Sequence, residues 1–260
     1  MRNQMSLELL EQVTKITQNA AKIISGFYQN EYTVRDKGQD NPVTDADLQT
    51  NAFLETELPK LLPEAAWLSE ETKDNPIRLD KEWVWIIDPL DGTREFTKGI
   101  PEFVVSVGLV YQGRAHLGVM INPITSQIFS GVVGHGAYLN GKAITISSHN
   151  TIDGAKLVCS RSEMEKGWFD EYQSLGVQPK AVGSVAYKFG LVAAGLADAT
   201  FTPRPRSEWD IAAGVAIVEA AGGQCSDKNG QPYLFNQENI LVDGVLATNG
   251  HIHSDLLRLM

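Results

Sequence analysis

The chain has 260 residues, of which 43% are hydrophobic and 21% are charged. This composition is ordinary for a globular protein and excludes the disordered, collagen-like and low-complexity classes. The length allows one or two domains with a sizeable core. Lys and Arg number 22 and Asp and Glu number 32, so the formal net charge is −10. Because an acidic chain without a run of basic residues is repelled by nucleic acid and by anionic membranes, we expect neither as a partner.

The two cysteines, Cys159 and Cys225, have no CxxC spacing. Buried thiols are therefore expected, rather than a disulfide scaffold or a zinc site. The N-terminal sequence MRNQMSLELLEQ lacks the apolar core of a signal peptide. No apolar run approaches the roughly 20 residues that a membrane span needs. These features predict a cytoplasmic protein.

The first part of the chain predicts two helices followed by a strand-rich, mostly antiparallel block. Apolar residues recur every three to four positions from Leu7 to Tyr28, which is typical of an amphipathic helix. The polar stretch Lys37 to Pro42 separates it from a second helix, predicted from Thr44 to about Leu62. Trp83 to Ile87 is wholly apolar and predicts a buried central strand. Further strands are predicted over residues 103–111, 115–121 and 127–133, with a hairpin at Asn140-Gly141.

The second part of the chain alternates predicted strands and helices. Strands are predicted over residues 157–160 and 199–202, and helices over 163–175, 185–194 and 210–221. We therefore predict a layered α/β or α+β fold made of two packed halves, residues 1–150 and 151–260, with the functional site at their junction.

The sharpest chemical feature is Asp88-Pro89-Leu90-Asp91-Gly92-Thr93, which directly follows the predicted central strand. A turn here would aim both carboxylates at one point, and Mg²⁺ prefers such oxygen ligands. The Gly92 and Thr93 amides would then face a phosphate. An acidic turn that only satisfies its own backbone is the alternative, and the spacing by itself does not decide between them.

Three further acidic motifs have ordinary structural interpretations when each is taken alone. Glu70-Glu71 follows an apolar stretch, and adjacent glutamates are usually solvated. Asp210 precedes a helix lined with small residues, where an aspartate is most often a cap. Thr44 and Asp47 have the spacing of a capping box. The small residues after Asp210 would let its helix pack closely on a sheet and hold that carboxylate rigidly.

Taken together, these motifs resemble the inositol monophosphatase family of Mg²⁺-dependent, lithium-sensitive phosphatases. The resemblance covers nearly the whole chain in the family's order. It is carried by Pro42-Val43-Thr44-x-x-Asp47, Ser69-Glu70-Glu71, Trp85-Ile86-Ile87-Asp88-Pro89-Leu90-Asp91-Gly92-Thr93 and Glu208-Trp209-Asp210-Ile211-Ala212-Ala213-Gly214. It implies an αβαβα sandwich, the fold of this family and of fructose-1,6-bisphosphatases. The resemblance also implies that Glu70 and Asp210 bind metal, in place of the solvated and capping interpretations given above.

The resemblance also implies the metal ligands and the residues that act on water. Two or three Mg²⁺ ions would be held by Glu70, Glu71, Asp88, the Leu90 carbonyl, Asp91 and Asp210. Asp88 would bridge two of the ions, and Glu71 would help to hold a looser third. Thr93, oriented by Asp47, would activate the attacking water, so Asp47, Thr93 and Glu70 are the expected catalytic side chains. No covalent intermediate is required.

Within the family, Ser160-Arg161-Ser162 and Gly183-Ser184-x-x-x-Lys188 look most like the 3′(2′),5′-bisphosphate nucleotidase branch. That branch removes the 3′-phosphate from 3′-phosphoadenosine 5′-phosphate. Inositol phosphatases usually have a glutamate seven residues before the motif aspartate, where this chain has Pro203. The branch usually has a histidine where this chain has Glu163, whose charge would repel a phosphate if it pointed inward.

The expected substrate contacts are Gly92, Thr93, Gly183, Ser184, Lys188, Arg204 and Arg206. For Arg204 and Arg206 the alternative is that they are solvated loop charges. An inositol or other sugar phosphate is the alternative substrate, and a non-catalytic module that binds a partner is an alternative of another class. Because the family often forms homodimers, a homodimer is also an expectation.

Overall fold

Two β-sheets, one in each part of the chain, dominate the fold. The computed structural model describes residues 2–36, 38 and 42–260. Before residue 150 the elements are α1 (Arg2–Phe27), β1 (Val34–Asp36), β2 (Pro42–Thr44), α2 (Asp45–Glu57), β3 (Ala66–Ser69), β4 (Trp83–Asp91), α3 (Thr93–Thr97), β5 (Val104–Tyr111), β6 (Arg114–Asn122), β7 (Gln127–Val132), β8 (Gly136–Leu139) and β9 (Lys142–Ile144), with 3₁₀ helices over Leu58–Lys60 and Pro76–Asp80. Of the predicted polar stretch, residues 37 and 39–41 lie outside the described residues.

The first sheet has seven strands in the order β3-β4-β5-β6-β7-β8-β9. Strand β3 runs parallel to β4, and the following neighbours are antiparallel, as the strand-rich block predicted. The hairpin predicted at Asn140-Gly141 joins β8 to β9. The central strand β4 is longer than predicted, because it continues through the acidic motif to Asp91.

The second part of the chain contains the other large sheet and five helices. Its elements are β10 (Lys156–Cys159), α4 (Arg161–Met164), α5 (Asp170–Ser174), β11 (Gln178–Ala181), α6 (Val185–Ala193), β12 (Ala199–Thr202), β13 (Arg206–Ser207), α7 (Glu208–Ala220), β14 (Gln224–Ser226), β15 (Leu241–Val242), β16 (Val245–Thr248) and α8 (His253–Leu259). The sheet has five strands in the order β11-β10-β12-β16-β14, with parallel and antiparallel neighbours.

One predicted helix is wrong. Residues 163–175 form two short helices, α4 and α5, rather than one helix. Gly167 separates them with φ of 73°, a left-handed conformation that a continuous α-helix does not accommodate. Phe169, which lies between the two short helices, packs under the second sheet.

The buried side chains form three hydrophobic core clusters, which lie between alternating layers of helices and sheets. Along β4, Trp85 and Ile87 face α1 and α2, whereas Val84 and Ile86 face the other way, toward α6 and α7. This alternation gives a sheet buried on both faces. The far face of the second sheet packs against α5 and α8. The order of layers is therefore helix, sheet, helix, sheet, helix, which confirms the predicted αβαβα sandwich.

Both cysteines are free and buried, as expected from their spacing. Among the described residues, no helix combines the length and the apolar character needed to cross a membrane. The division at residue 150 stays a prediction. The large core cluster between the two sheets takes side chains from both parts of the chain, including Phe129 of β7 and Phe189 of α6.

Candidate metal centre and active site

A cavity of about 390 Å³ opens where the C-terminal end of β4 meets the second part of the chain. Both parts of the chain contribute to its wall. The lining residues include Glu70, Asp88, Leu90, Asp91, Gly92, Thr93, Arg94, Glu95, Lys98, Arg161, Gly183, Ser184, Lys188, Arg204, Arg206 and Asp210. Acidic residues from strand and helix ends thus share one cavity with several cations.

Asp88 and Asp91 point into this cavity together because β4 is irregular between them. In a regular strand, residues three apart point to opposite faces of the sheet. Here Asp88 pairs with Ser106 and Asp91 with Val104, so the three-residue step on β4 faces a two-residue step on β5. The extra residue of this bulge returns Asp91 to the side of Asp88. Pro89 lies in the bulge and has no N–H to donate to the sheet.

Asp210 completes a cluster of carboxylates. One oxygen from each of Asp88, Asp91 and Asp210 lies within 4.8 Å of the others. Burial, together with the neighbouring Asp91 and Glu70 carboxylates, raises the pKa of Asp210 to about 8. Burial also raises the pKa of Asp88 well above the ordinary aspartate range, and the Glu70 charge adds to this effect. Such a cluster favours a bound cation, because the ionised carboxylates repel one another in a site poor in water.

The helix that carries Asp210 approaches the first sheet through two glycines. Gly108 on β5 and Gly118 on β6 face each other in the sheet register. A Cβ on Gly118 would overlap the Ala213 carbonyl and come within 3.0 Å of its Cα. The predicted small-residue contact of α7 with a sheet is therefore confirmed. Asp210 is also the N3 residue of a capping box, with its carboxylate accepting from the Ser207 N–H at 3.1 Å.

Glu70 is positioned by a hydrogen-bond network behind it. It follows β3 directly, and its N–H donates to the Ile87 carbonyl of β4 at 3.2 Å. The preceding Ser69 hydroxyl donates to the buried Asn51 side chain at 2.6 Å. The Asn51 amide in turn donates to Thr72 at 2.9 Å, on the other side of the glutamate pair. Glu70 lines the cavity, whereas Glu71 is not among its lining residues.

Asp47 lies behind Thr93 rather than in the cavity wall. The predicted capping box is present, because one Asp47 oxygen accepts from the Thr44 N–H at 2.7 Å and from its hydroxyl at 2.5 Å. The other oxygen lies 2.9 Å from the Thr93 hydroxyl. That hydroxyl is also 3.0 Å from the Leu90 carbonyl, and its single proton can serve one acceptor at a time. Burial raises the pKa of Asp47.

Gly92 turns the chain from β4 into α3, with φ of 101°. A Cβ at this position would come within 3.0 Å of the Glu102 carbonyl oxygen. The turn predicted over the acidic motif is therefore wrong for Asp88 to Asp91, which continue β4 as a bulged strand, and is confined to Gly92. It places the Thr93 side chain on the first turn of α3.

The predicted contacts Ser184 and Lys188 are both buried in the cavity wall. The Ser184 hydroxyl donates to Asp91 at 2.6 Å, and the Ala186 N–H donates to the same carboxylate oxygen at 2.5 Å. The Lys188 ammonium donates to the Ser184 carbonyl at 2.7 Å. Burial lowers the pKa of Lys188. In this arrangement the segment from 183 to 188 orients Asp91 of the carboxylate cluster and also forms part of the cavity wall.

Arg204 and Arg206 both line the cavity, so the structure places them at the site and not in a remote loop. The Arg204 guanidinium lies 4.6 Å from the centre of the Trp168 ring, a cation–π contact. Arg206 lies 3.7 Å from the carboxylate of Glu163. Glu163 is 1% exposed and accepts from the Thr202 hydroxyl at 2.6 Å, so its charge is directed at Arg206 behind the wall.

Several lining residues were not among those predicted for the site, including Arg161 and Glu95. Glu102, which is not itself a lining residue, binds two residues of the wall. Arg161 lies within a motif that the sequence singled out, and it forms an ion pair with Glu102. Glu102 also accepts from the Gly183 N–H at 2.7 Å. Glu95 follows Thr93 by two residues and lines the cavity. Its position in the acidic motif was visible in the sequence, but its contact with Gly183 depends on the tertiary fold.

A family model described as the inositol monophosphatase family matches residues 6–259. The chain belongs to this family. It is therefore an enzyme of a metal-dependent phosphatase family, as the sequence motifs predicted, with an acidic cluster able to hold metal. The resemblance to the family is confirmed.

Curated relatives with similar sequence identity to this chain carry different names. Inositol monophosphatase 3 of Solanum lycopersicum is 31% identical, with 97% of this chain and 96% of the relative covered. The 3′(2′),5′-bisphosphate nucleotidase CysQ of Aggregatibacter actinomycetemcomitans is 33% identical, with 92% and 91% covered. A crystal structure of the extragenic suppressor protein suhB from Bartonella henselae matches with a TM-score of 0.83 at 28% identity, covering 96% of this chain and 97% of that chain.

Proposed function

We propose that this phosphatase is Mg²⁺-dependent and acts on a small bisphosphate nucleotide of the 3′-phosphoadenosine 5′-phosphate type. The observation that carries the proposal is that one cavity is lined by both carboxylates and cations. The carboxylates Asp88, Asp91 and Asp210 are called the acidic wall here, and the cations Lys188, Arg204 and Arg206 are called the cationic wall. A substrate with two separated phosphates has a charge pattern that matches both.

The donor set of the acidic wall fits Mg²⁺. Asp91 uses one carboxylate oxygen for Ser184 and Ala186, so the other is available to an ion. Hard divalent cations take such carboxylate and carbonyl oxygens, and we assign Glu70, Asp88, the Leu90 carbonyl, Asp91 and Asp210 as ligands, with Glu71 reserved for a looser ion. When bound, Mg²⁺ lowers the pKa of water, neutralises phosphate charge and stabilises the leaving alkoxide.

The protein's own part in the reaction is to orient water and the phosphate. With its proton donated to Asp47, the Thr93 hydroxyl presents a lone pair that accepts a hydrogen bond from the attacking water. Burial raises the pKa of Asp47, which makes its ionised form a better acceptor for this proton. The Gly92 and Thr93 amides at the turn are assigned to the phosphate oxygens.

The cationic wall is assigned to the leaving group and its second phosphate. Lys188 and Arg206 are held by protein partners, which reduces the freedom that they would lose on binding a phosphate. Pro203 stands where a glutamate would grip inositol hydroxyls, and one relative of similar identity is named a bisphosphate nucleotidase. Glu163 does not oppose this assignment, because its carboxylate is buried against Thr202 and Arg206.

Phosphate release in Mg²⁺, with and without lithium, tests the proposal directly. The substrates are 3′-phosphoadenosine 5′-phosphate, inositol 1-phosphate and fructose 1,6-bisphosphate. We expect the highest kcat/KM on the nucleotide and inhibition by lithium. A higher kcat/KM on inositol 1-phosphate would contradict the substrate assignment and favour the second candidate, a sugar phosphate phosphatase. That candidate is supported by the similarly distant relative named an inositol monophosphatase.

A non-catalytic partner module makes a different prediction. If the fold served only as a module, Asp91→Asn would leave partner capture intact, and the wild type would release no phosphate from any ester. Loss of hydrolysis in Asp91→Asn, with an unchanged circular dichroism spectrum, would support the enzyme.

A further inference from the structure

Glu95 occupies a distinctive place in the cavity. It lies on α3, two residues after Thr93, and its half-buried side chain lines the same cavity as the carboxylate cluster. Among the described residues it forms no ion pair, although Lys188 and Arg161 are near enough to influence its charge. An acid at this point does not help to bind phosphate, so it needs another explanation.

The Glu95 side chain packs against the backbone of Gly183. A Cβ on Gly183 would come within 2.8 Å of a Glu95 carboxylate oxygen and closer still to its Cγ and Cδ. Gly183 has no left-handed backbone angle, so it is the space taken by Glu95 that requires a glycine here. The fold therefore keeps this corner of the cavity free of a side chain for the carboxylate.

The segment of Gly183 and Ser184, against which Glu95 packs, is held by hydrogen bonds to two carboxylates. The Gly183 N–H donates to Glu102, which also binds Arg161. The next residue, Ser184, donates to the metal-cluster residue Asp91. Glu95 thus lies against a segment that is hydrogen-bonded directly to the carboxylate cluster. In the proposed function, this is the side of the cavity assigned to the group that leaves from phosphorus.

A carboxylate beside the leaving group can accept a hydrogen bond from a hydroxyl but repels a phosphate. We propose that Glu95 is a specificity-determining residue that accepts a hydrogen bond from the hydroxyl on the carbon next to the one bearing the scissile phosphate. The inference rests on the proposed phosphomonoesterase function. Glu95 would favour phosphate esters that have a hydroxyl on the neighbouring carbon, such as a ribose 3′-phosphate with its 2′-hydroxyl. Its negative charge would direct any second phosphate toward Arg204 and Arg206.

The test compares two nucleotides that differ in one hydroxyl. The kcat/KM ratio of 3′-phosphoadenosine 5′-phosphate to 2′-deoxyadenosine 3′,5′-bisphosphate is measured in the wild type, Glu95→Ala and Glu95→Gln. A hydrogen bond to a charged group predicts a wild-type ratio of roughly 10 to 100. Glu95→Ala brings the ratio close to one by lowering kcat/KM on the ribonucleotide, and Glu95→Gln gives an intermediate ratio.

The matched control is Glu165→Gln, which removes one negative charge from an exposed residue at the rim of the same cavity. It keeps the wild-type ratio, and thermal melting confirms that each variant is folded. A wild-type ratio near one, or an equal loss on both nucleotides in Glu95→Ala, would overturn the role of Glu95.

The substrate assignment can fail separately from the role of Glu95. If the wild type releases phosphate from neither nucleotide, the same comparison is made with inositol 1-phosphate and cyclohexyl phosphate, which lacks neighbouring hydroxyls. A ratio that depends on Glu95 there supports its role and rejects the nucleotide. A ratio that does not depend on Glu95, or no release from either ester, overturns the inference.

Discussion

The Thr93 hydroxyl lies 2.9 Å from an Asp47 carboxylate oxygen, although 46 residues separate the two in the chain. The same carboxylate caps α2 through Thr44. The capping box therefore does two things, because it starts the helix and fixes the acceptor for the Thr93 proton. In the proposed mechanism, this tertiary contact makes a conventional helix cap part of the arrangement that orients the attacking water.

Removing the Thr93 hydroxyl tests this arrangement. General acid–base groups contribute about 100- to 10,000-fold to rates, so Thr93→Ala is expected to lower kcat within that range with a much smaller change in KM. Thr93→Ser keeps the hydroxyl and should retain most of the activity. Thr97→Ala on the same helix is the control, because its hydroxyl only caps the Arg94 carbonyl. An unchanged kcat in Thr93→Ala would remove Thr93 from the mechanism.

The carboxylate cluster predicts how stability depends on pH and metal. In the metal-free protein the pKa of Asp210 is raised from 3.8 to about 8. A raised pKa gives stability that is complete below the unfolded value and is lost as the pH rises through the folded value. We expect the melting temperature in chelator to fall between pH 5 and 8 and Mg²⁺ to raise it most at the upper end.

Asp210→Asn should flatten this pH dependence and reduce the Mg²⁺-induced rise in melting temperature. Asp243→Asn is the matched control, since it removes an exposed carboxylate that pairs only with Lys228 among the described residues. Thermal melting from pH 5 to 9, in chelator and in Mg²⁺, makes the comparison. A full Mg²⁺ shift in Asp210→Asn would mean that the ion is bound elsewhere.

The contact of α7 with the first sheet should not tolerate a methyl group at Gly118. Overpacking of this kind costs about 1–3 kcal/mol, so Gly118→Ala is expected to lower the free energy of unfolding by that amount. Gly26→Ala is the control, because its position on α1 has no atom within 4 Å of a new Cβ. There we expect no loss, or a gain of about 0.5–1 kcal/mol. Urea unfolding measures both variants, and equal stabilities would contradict the close approach of Gly118 to Ala213.

The cationic wall predicts selectivity for a second phosphate. Arg206→Ala should lower kcat/KM on 3′-phosphoadenosine 5′-phosphate by roughly 10- to 100-fold. It should change kcat/KM on adenosine 3′-monophosphate much less, because that nucleotide has no second phosphate. Arg258→Ala removes an exposed arginine paired with Asp255 and serves as the control. Equal losses on both nucleotides would assign Arg206 to the scissile phosphate or to the fold.

The local structure around the site's acidic residues could be predicted from neighbouring residues, whereas their assignment to a metal site came from the family resemblance. Asp88 and Asp91 directly follow a wholly apolar strand, and Asp47 and Asp210 each stand at the third position of a helix with a Ser or Thr cap. Each of these signals depends on a few neighbouring residues, as helix caps and buried strands do.

The remaining features depend on contacts between distant residues. Nothing near Ser184 in the chain indicates that its hydroxyl binds Asp91, 93 residues away. The contact of Glu95 with Gly183 is of the same kind. The bulge that aligns Asp88 with Asp91 is a property of the pairing with β5. Gly167, with its left-handed φ of 73°, is a local signal for the break between α4 and α5 that the predicted helix over 163–175 did not take into account.

The most direct measurement is phosphate release from 3′-phosphoadenosine 5′-phosphate by the purified chain, in Mg²⁺ and in chelator, with Asp91→Asn beside the wild type. The account predicts rapid release by the wild type in Mg²⁺, none above background in chelator, and a loss of at least about 100-fold in the folded variant. Release that persists in chelator or in Asp91→Asn, or no release by the wild type in Mg²⁺, would contradict it.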